Sequence, residues 1–261
     1  MNRIDQLFAK KQHNILNIYC TAGYPQLDDT LTVLETLQAS GVDMIELGMP
    51  FSDPLADGPV IQDSSTQAIK NGMKLSVLFQ QLAHFRNHIS VPVILMGYLN
   101  PVLQYGIENF VKKCAEVGID GLIIPDLPMA EYEAEYKSLF EQHNLHNIFL
   151  VTPETSEARI RKIDSISKGF IYAVSSSSTT GNNKSVDLQQ AYFQKLEGMQ
   201  LSNPVLVGFG IRDKATFTSA CEHTNGAIIG TAFVQAIAQP GELSEKITSF
   251  VQNVRPIPQQ A

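Results

Sequence analysis

The sequence holds no apolar stretch that approaches the length of a bilayer span, no long apolar run behind its N-terminal basic residues, and no basic run anywhere. The first two absences argue against a membrane span and a secretory leader, so the expectation is a soluble, cytoplasmic protein. Lys and Arg number 19 against 26 Asp and Glu, a net charge of −7. A phosphate-backbone partner such as nucleic acid is therefore not expected, although local backbone dipoles can still bind a small anion. Cysteine is scarce: Cys20, Cys114 and Cys221 stand far apart, in none of the paired spacings of zinc or redox motifs, as suits a reducing compartment. The histidines, at 13, 84, 88, 143, 146 and 223, read into helices or loops away from strand ends, which leaves no His/Asp cluster for a metal.

What is present is a repeated alternation. Short apolar runs rich in β-branched residues fall at 14–20, 42–48, 91–96, 121–124, 148–151, 169–174, 204–207 and 226–230. Between them lie helical patterns, at about 28–40, 61–70, 75–87, 107–117, 130–142, 157–166, 187–198 and 213–221, with a last helix from 231 to about 251. About eight strand-then-helix units in 261 residues, with no composition break, predict one (β/α)8 TIM barrel domain over 1–261. Residues 2–11 form an extra N-terminal amphipathic helix, placed to cover one end. The competing doubly wound sheet normally needs a glycine-rich first turn, and the turn at 21–25 offers one glycine.

Active sites of such barrels gather at the C-terminal strand ends. One strand there carries an anomaly. In Met44-Ile45-Glu46-Leu47-Gly48, alternation puts Glu46 on one face with Met44 and Gly48, an acid among apolar neighbours that should titrate high. Asp57 follows eleven positions on, past Pro50 and Pro54 and before Gly58-Pro59, in a loop read as mobile and solvated. Two carboxylates in different environments can divide acid and base roles at neutral pH. The plainer alternative pairs Glu46 with a buried Lys or Arg and leaves Asp53 and Asp57 to shape turns. Tyr19, Tyr98, Asp126 and Tyr172 follow or close strands and belong to the same rim.

Late in the chain, Ser178-Thr179-Thr180-Gly181, Gly208-Phe209-Gly210 and Gly226-Ala227-Ile228-Ile229-Gly230-Thr231 form loops able to bring backbone N–H groups to a phosphate. Glycines that merely close tight βα turns are the alternative. No strand carries a lysine for Schiff-base chemistry, and no metal cluster supports an epimerase or metal aldolase. Acid/base work by carboxylates remains.

The motif at 46–62, Glu-Leu-Gly-Met-Pro-Phe-Ser-Asp-Pro-Leu-Ala-Asp-Gly-Pro-Val-Ile-Gln, closely resembles the signature of the tryptophan synthase alpha chain family. The segments at 19–25, 125–128, 208–211 and 230–231 follow in that family's order. The resemblance implies retro-aldol cleavage of indole-3-glycerol phosphate to indole and glyceraldehyde 3-phosphate. It maps the acid/base glutamate onto Glu46, the loop aspartate onto Asp57, and a tyrosine beside the glutamate onto Tyr172. Tyr19, Tyr98 and Asp126 match the indole-glycerol pocket, Thr180 the closing loop, and Gly181, Gly208, Gly210, Gly230 and Thr231 the phosphate loops. It further implies no cofactor in this chain, a pyridoxal-phosphate beta chain as partner in an alpha2-beta2 assembly, and Pro50, Asp53 and Asn100 facing that partner. Many members have an Arg and a Gly where this chain has Ser176 and Ser178. A barrel that only binds and activates a beta chain is the competing class of function.

Overall fold

The structure, a computed structural model, describes residues 1–54, 57–175, 183–208 and 210–255, with no side-chain detail at 183–189. In chain order the elements are α1 (Arg3–Lys10), β1 (Ile15–Thr21), α2 (Asp29–Ala39), β2 (Met44–Gly48), α3 (Pro59–Lys70), α4 (Leu75–Gln81), β3 (Val93–Met96), α5 (Leu99–Tyr105), α6 (Ile107–Val117), β4 (Gly121–Ile123) and α7 (Met129–Glu131). There follow α8 (Lys137–Gln142), β5 (His146–Asn147), β6 (Leu150–Val151), α9 (Glu157–Ile166), β7 (Ile171–Val174), α10 (Asn183–Gly198), β8 (Val205–Gly208), α11 (Lys214–Cys221), β9 (Gly226–Ile229), α12 (Thr231–Ile237) and α13 (Leu243–Val254).

Among the described residues nine strands, all paired in parallel, form one sheet in the order β5-β4-β3-β2-β1-β9-β8-β7-β6. The two ends of that order are one stretch of chain. Residues 146–151 pair with β4 at their start and with β7 at their end, which closes the ring. The fifth stave is thus divided into β5 and β6, where the sequence predicts one strand at 148–151. The fold is the predicted (β/α)8 barrel.

Alternation sorts the side chains as pleating requires. Ile15, Met44, Ile94, Ile123, Ile148, Tyr172, Leu206 and Ile228 fill the inside of the barrel. Their neighbours, such as Ile18, Ile45, Leu47, Leu95, Leu122 and Val207, pack outward beneath the helices. The floor is laid by α1. Asn2 caps it, its side chain accepting from the Ile4 N–H, and fully buried Ile4 enters the interior cluster with Leu7 and Phe8 against it. Asn2 Nδ2 donates to the carbonyls of Asp120 and Asn144, Arg3 pairs with the buried carboxylate of Asp120, and His146 bonds Asp5. His146 therefore lies on a strand, against expectation, but at the floor and away from the loops after the strands.

Four helical readings change. No helical pattern is read between the strand at 91–96 and the helix at 107–117, yet 99–105 form helix α5; Pro101 sits in its first turn, where a missing N–H does little harm. The helix predicted over 75–87 passes into a 3₁₀ segment at Leu82–Asn87. The one predicted over 130–142 is interrupted by a π turn at Tyr132–Tyr136. The long last helix is two, divided around Pro240-Gly241, with Gly241 at φ 124°. Among the described residues no helix is long and apolar enough to cross a membrane.

Candidate active site

Glu46 stands on β2 directly beside Tyr19 on β1 and Ile94 on β3. It is 1% exposed, and its Oε2 is buried without a hydrogen-bond partner. Among the described residues no Lys or Arg forms an ion pair with it, so the plainer structural reading of this acid does not hold. Burial pushes its pKa up from 4.5 to about 8, the negative charge of Asp57 adds to the rise, and the Asn17 amide opposes it. At neutral pH Glu46 is therefore mostly a carboxylic acid holding a proton.

Asp57 differs from its expected solvated state. It is half-buried, and its Oδ2 accepts a hydrogen bond of 3.1 Å from the Tyr98 hydroxyl. Phe51 stacks on the Tyr98 ring at 5.2 Å. Burial holds the Asp57 pKa above the usual carboxylate value, and the Tyr98 bond opposes only part of that rise. The structure thus pairs a buried acid on a strand with a braced aspartate on a loop.

A pocket joins them. It has a cavity volume of about 120 Å³ and is lined by Tyr19, Glu46, Asp57, Tyr172, Gly210, Gly230 and Thr231, with Gly58, Ile61, Met96, Ile211 and Ile228. Apolar walls with a few convergent polar groups suit a small-molecule site. The two interior tyrosines hold their places against glycines. A Cβ on Gly48 would overlap the Tyr19 hydroxyl, and one on Gly208 the Tyr172 hydroxyl. Burial raises the pKa of both phenols, so both are neutral hydrogen-bonding groups beside the acid.

Of the predicted residues, Gly208 shapes the pocket through Tyr172 rather than lining it. Tyr98 reaches it through Asp57 and lines an adjoining cleft. Asp126 is exposed and outside the lining set; its Oδ1 accepts from the Leu99 N–H, at the start of α5. Pro50 is half-buried, Asp53 and Asn100 are exposed, and Asn100 lies on α5 rather than in a loop. Thr180 and Gly181, with Ser176, Ser178 and Phe209, lie outside the described residues. Met96, Ile61, Ile211 and Ile228 were missed. For Met96 and Ile228 the signal was there in the pleat, two positions beyond Ile94 and two before Gly230. Among the described residues no three His, Cys, Asp or Glu side chains gather as a metal site.

The model of the family described as "Tryptophan synthase alpha chain" matches residues 5–260. The chain is 54% identical over 255 residues to the tryptophan synthase alpha chain of Flavobacterium psychrophilum, covering 97% of this chain and all of that one. It is 55% identical to that of Parabacteroides distasonis, covering 95% and 98%. Its backbone matches the crystal structure of tryptophan synthase subunit alpha from Legionella pneumophila with a TM-score of 0.89 at 32% identity, covering 98% of this chain and 97% of that one. It matches the Pyrococcus furiosus tryptophan synthase A-subunit with 0.86 at 34% identity, covering 95% and 100%. With a match from end to end of the barrel, and an acid on β2 facing a loop aspartate, the chain belongs to the tryptophan synthase alpha chain family.

Proposed function

We propose that Glu46 is the proton carrier, and Asp57 the electrostatic partner, in the family's reaction, cleavage of indole-3-glycerol phosphate to indole and glyceraldehyde 3-phosphate. One observation carries the assignment: a fully buried acid with a pKa near 8 opens on the pocket that also holds a braced aspartate. Glu46 starts protonated and gives its proton to indole C3, and the positive charge that develops at the ring N–H is steadied by Asp57. The carboxylate so formed takes the proton of the hydroxyl on the attached carbon. The bond from that carbon to C3 breaks, its electron pair returns to the ring, the aldehyde forms, and Glu46 is again protonated.

Tyr19 and Tyr172 flank the indole-glycerol part, and Tyr98 holds Asp57. Gly210, Gly230 and Thr231, in the lining of the same pocket, offer backbone N–H groups and a hydroxyl to the phosphate, with Gly208 leaving room for Tyr172 beside them; Thr180 and Gly181 are assigned there by resemblance alone. The chain carries no cofactor, pyridoxal phosphate residing in the beta chain. The partner is that beta chain, in an alpha2-beta2 assembly, docked over Pro50, Asp53 and Asn100. Leu103, on the same face of α5 as Asn100 and 47% exposed, supports that surface. Three unpaired cysteines support a cytoplasmic location. One closed sheet and a family match over residues 5–260 support a single domain.

The test is Glu46→Gln. Indole release should be abolished with the fold and beta-chain binding intact; turnover near that of the unaltered chain overturns the mechanism.

A further inference from the structure

We propose that Asn17 is a positioning residue for Glu46, its amide serving the carboxyl in both protonation states; the inference rests on Glu46 being the acid/base. Asn17 lies on the inner face of β1, wholly buried, level with Met44 on β2 and Ile228 on β9. Two residues on, Tyr19 faces Glu46, so Asn17 is the carboxyl's diagonal neighbour, one step deeper in the barrel.

Its surroundings at that depth are Ile15, Met44 and Ile228. Neither Nδ2 nor Oδ1 has a hydrogen-bond partner, and Glu46 Oε2 is likewise buried and unpartnered. A buried amide without partners is costly, and a valine or leucine would fill the same space without that cost. The polar group is explained by what adjoins it. Although no hydrogen bond is formed, the amide is near enough to favour the Glu46 carboxylate against burial.

The other titratable groups facing Glu46 are Tyr19 on β1, Tyr172 on β7 and Asp57 in the loop after β2, while Cys20, on the outer face of β1, feels its charge through the strand. The inner faces of β3, β8 and β9 present Ile94, Leu206 and Ile228. A carboxyl that gives and retakes a proton changes from donor to acceptor in each turnover. Asparagine carries both complements on one rotatable group: Nδ2–H donates to the carboxylate, and Oδ1 accepts from the acid. Lysine or arginine would hold Glu46 ionised; aspartate would hold it neutral. An amide does neither.

The experiment compares Asn17→Val with Asn17→Thr in the full chain. The two replacements have nearly the same shape, and only threonine can both donate and accept. Indole formation is followed against pH, and the Glu46 carboxyl is titrated by carbon-13 NMR without substrate. The valine variant should raise the Glu46 pKa by roughly one unit and lower kcat about tenfold, while threonine stays within about twofold of the unaltered chain. Equal profiles and titrations for the two variants overturn the inference, whatever their Tm values. Should the Asn17→Val chain not fold, Asn17→Ala against Asn17→Ser repeats the comparison. Glu46→Gln is run beside them. If it turns over normally, the reading of Glu46 itself falls; if it is inactive while the Asn17 pair agree, only the inference about Asn17 falls.

Discussion

An acid held neutral by burial weakens the fold that buries it, and replacing Glu46 by glutamine should therefore stabilise this protein. The folded-state pKa, about 8, stands above the unfolded value of 4.5. Below pH 4.5 both states are protonated and nothing is lost. Above it the unfolded chain ionises freely while the native chain resists, so the native state loses about 1.4 kcal/mol per pH unit until Glu46 itself ionises near pH 8. The loss reaches about 3 kcal/mol at pH 7. Glutamine keeps nearly the same shape and carries no such penalty. Denaturant unfolding of the two proteins at a series of pH values should give curves that coincide near pH 4.5 and diverge up to pH 8. Beyond that the gap is constant. A gap that does not change with pH would refute the burial argument and the proton held at Glu46 with it.

Further perturbations separate the remaining parts. Asp57→Asn should lower kcat by about 10²–10³ without lowering Tm, as measured by indole release and thermal unfolding, because a charge aimed at the transition state is lost while an acid whose pKa burial raises is replaced by a neutral amide. Tyr98→Phe removes the bond that favours ionised Asp57. The acidic limb of its pH–rate profile should move up, since activity needing that carboxylate is lost at a higher pH as pH falls. Gly208→Ala forces the Tyr172 hydroxyl out of place, and kcat/KM should fall tenfold or more, by about the loss expected of a shift near 1 Å. Excess chelator should leave the rate unchanged, since no metal cluster exists among the described residues; inhibition reversed by a divalent ion would revive a metal-assisted reaction.

The barrel was legible because its buried parallel strands are continuous apolar runs, and Glu46 because a charge inside such a run has no bland place to go. Its face followed from pleating alone. Asp57 was found but its state was not: the Tyr98 hydroxyl that braces it comes from the loop after another strand, and sequence distance hides that proximity. Asp126 shows another partner that sequence distance hides. Its place after a strand suggested the pocket, whereas it bonds the start of α5, a helix concealed because Leu99-Asn100-Pro101 has the composition of a turn. Asn17 was invisible as anything but a strand residue, since its significance depends on which side chain stands diagonally across the next strand.

The floor of the barrel has a consequence for how activity is acquired. Asn2 and Arg3 are bonded to residues more than a hundred positions away, at 120 and 144. Contacts across so much chain form late, after the strands that offer them are paired. A chain with its strands paired and α1 undocked would carry Glu46 in a barrel open to water from below. Its acid would titrate as an ordinary glutamate. The appearance of a proton-loaded Glu46 during refolding is thus a clock for the closing of the far end of the molecule, and truncation there should silence the chemistry without touching a single residue of the pocket.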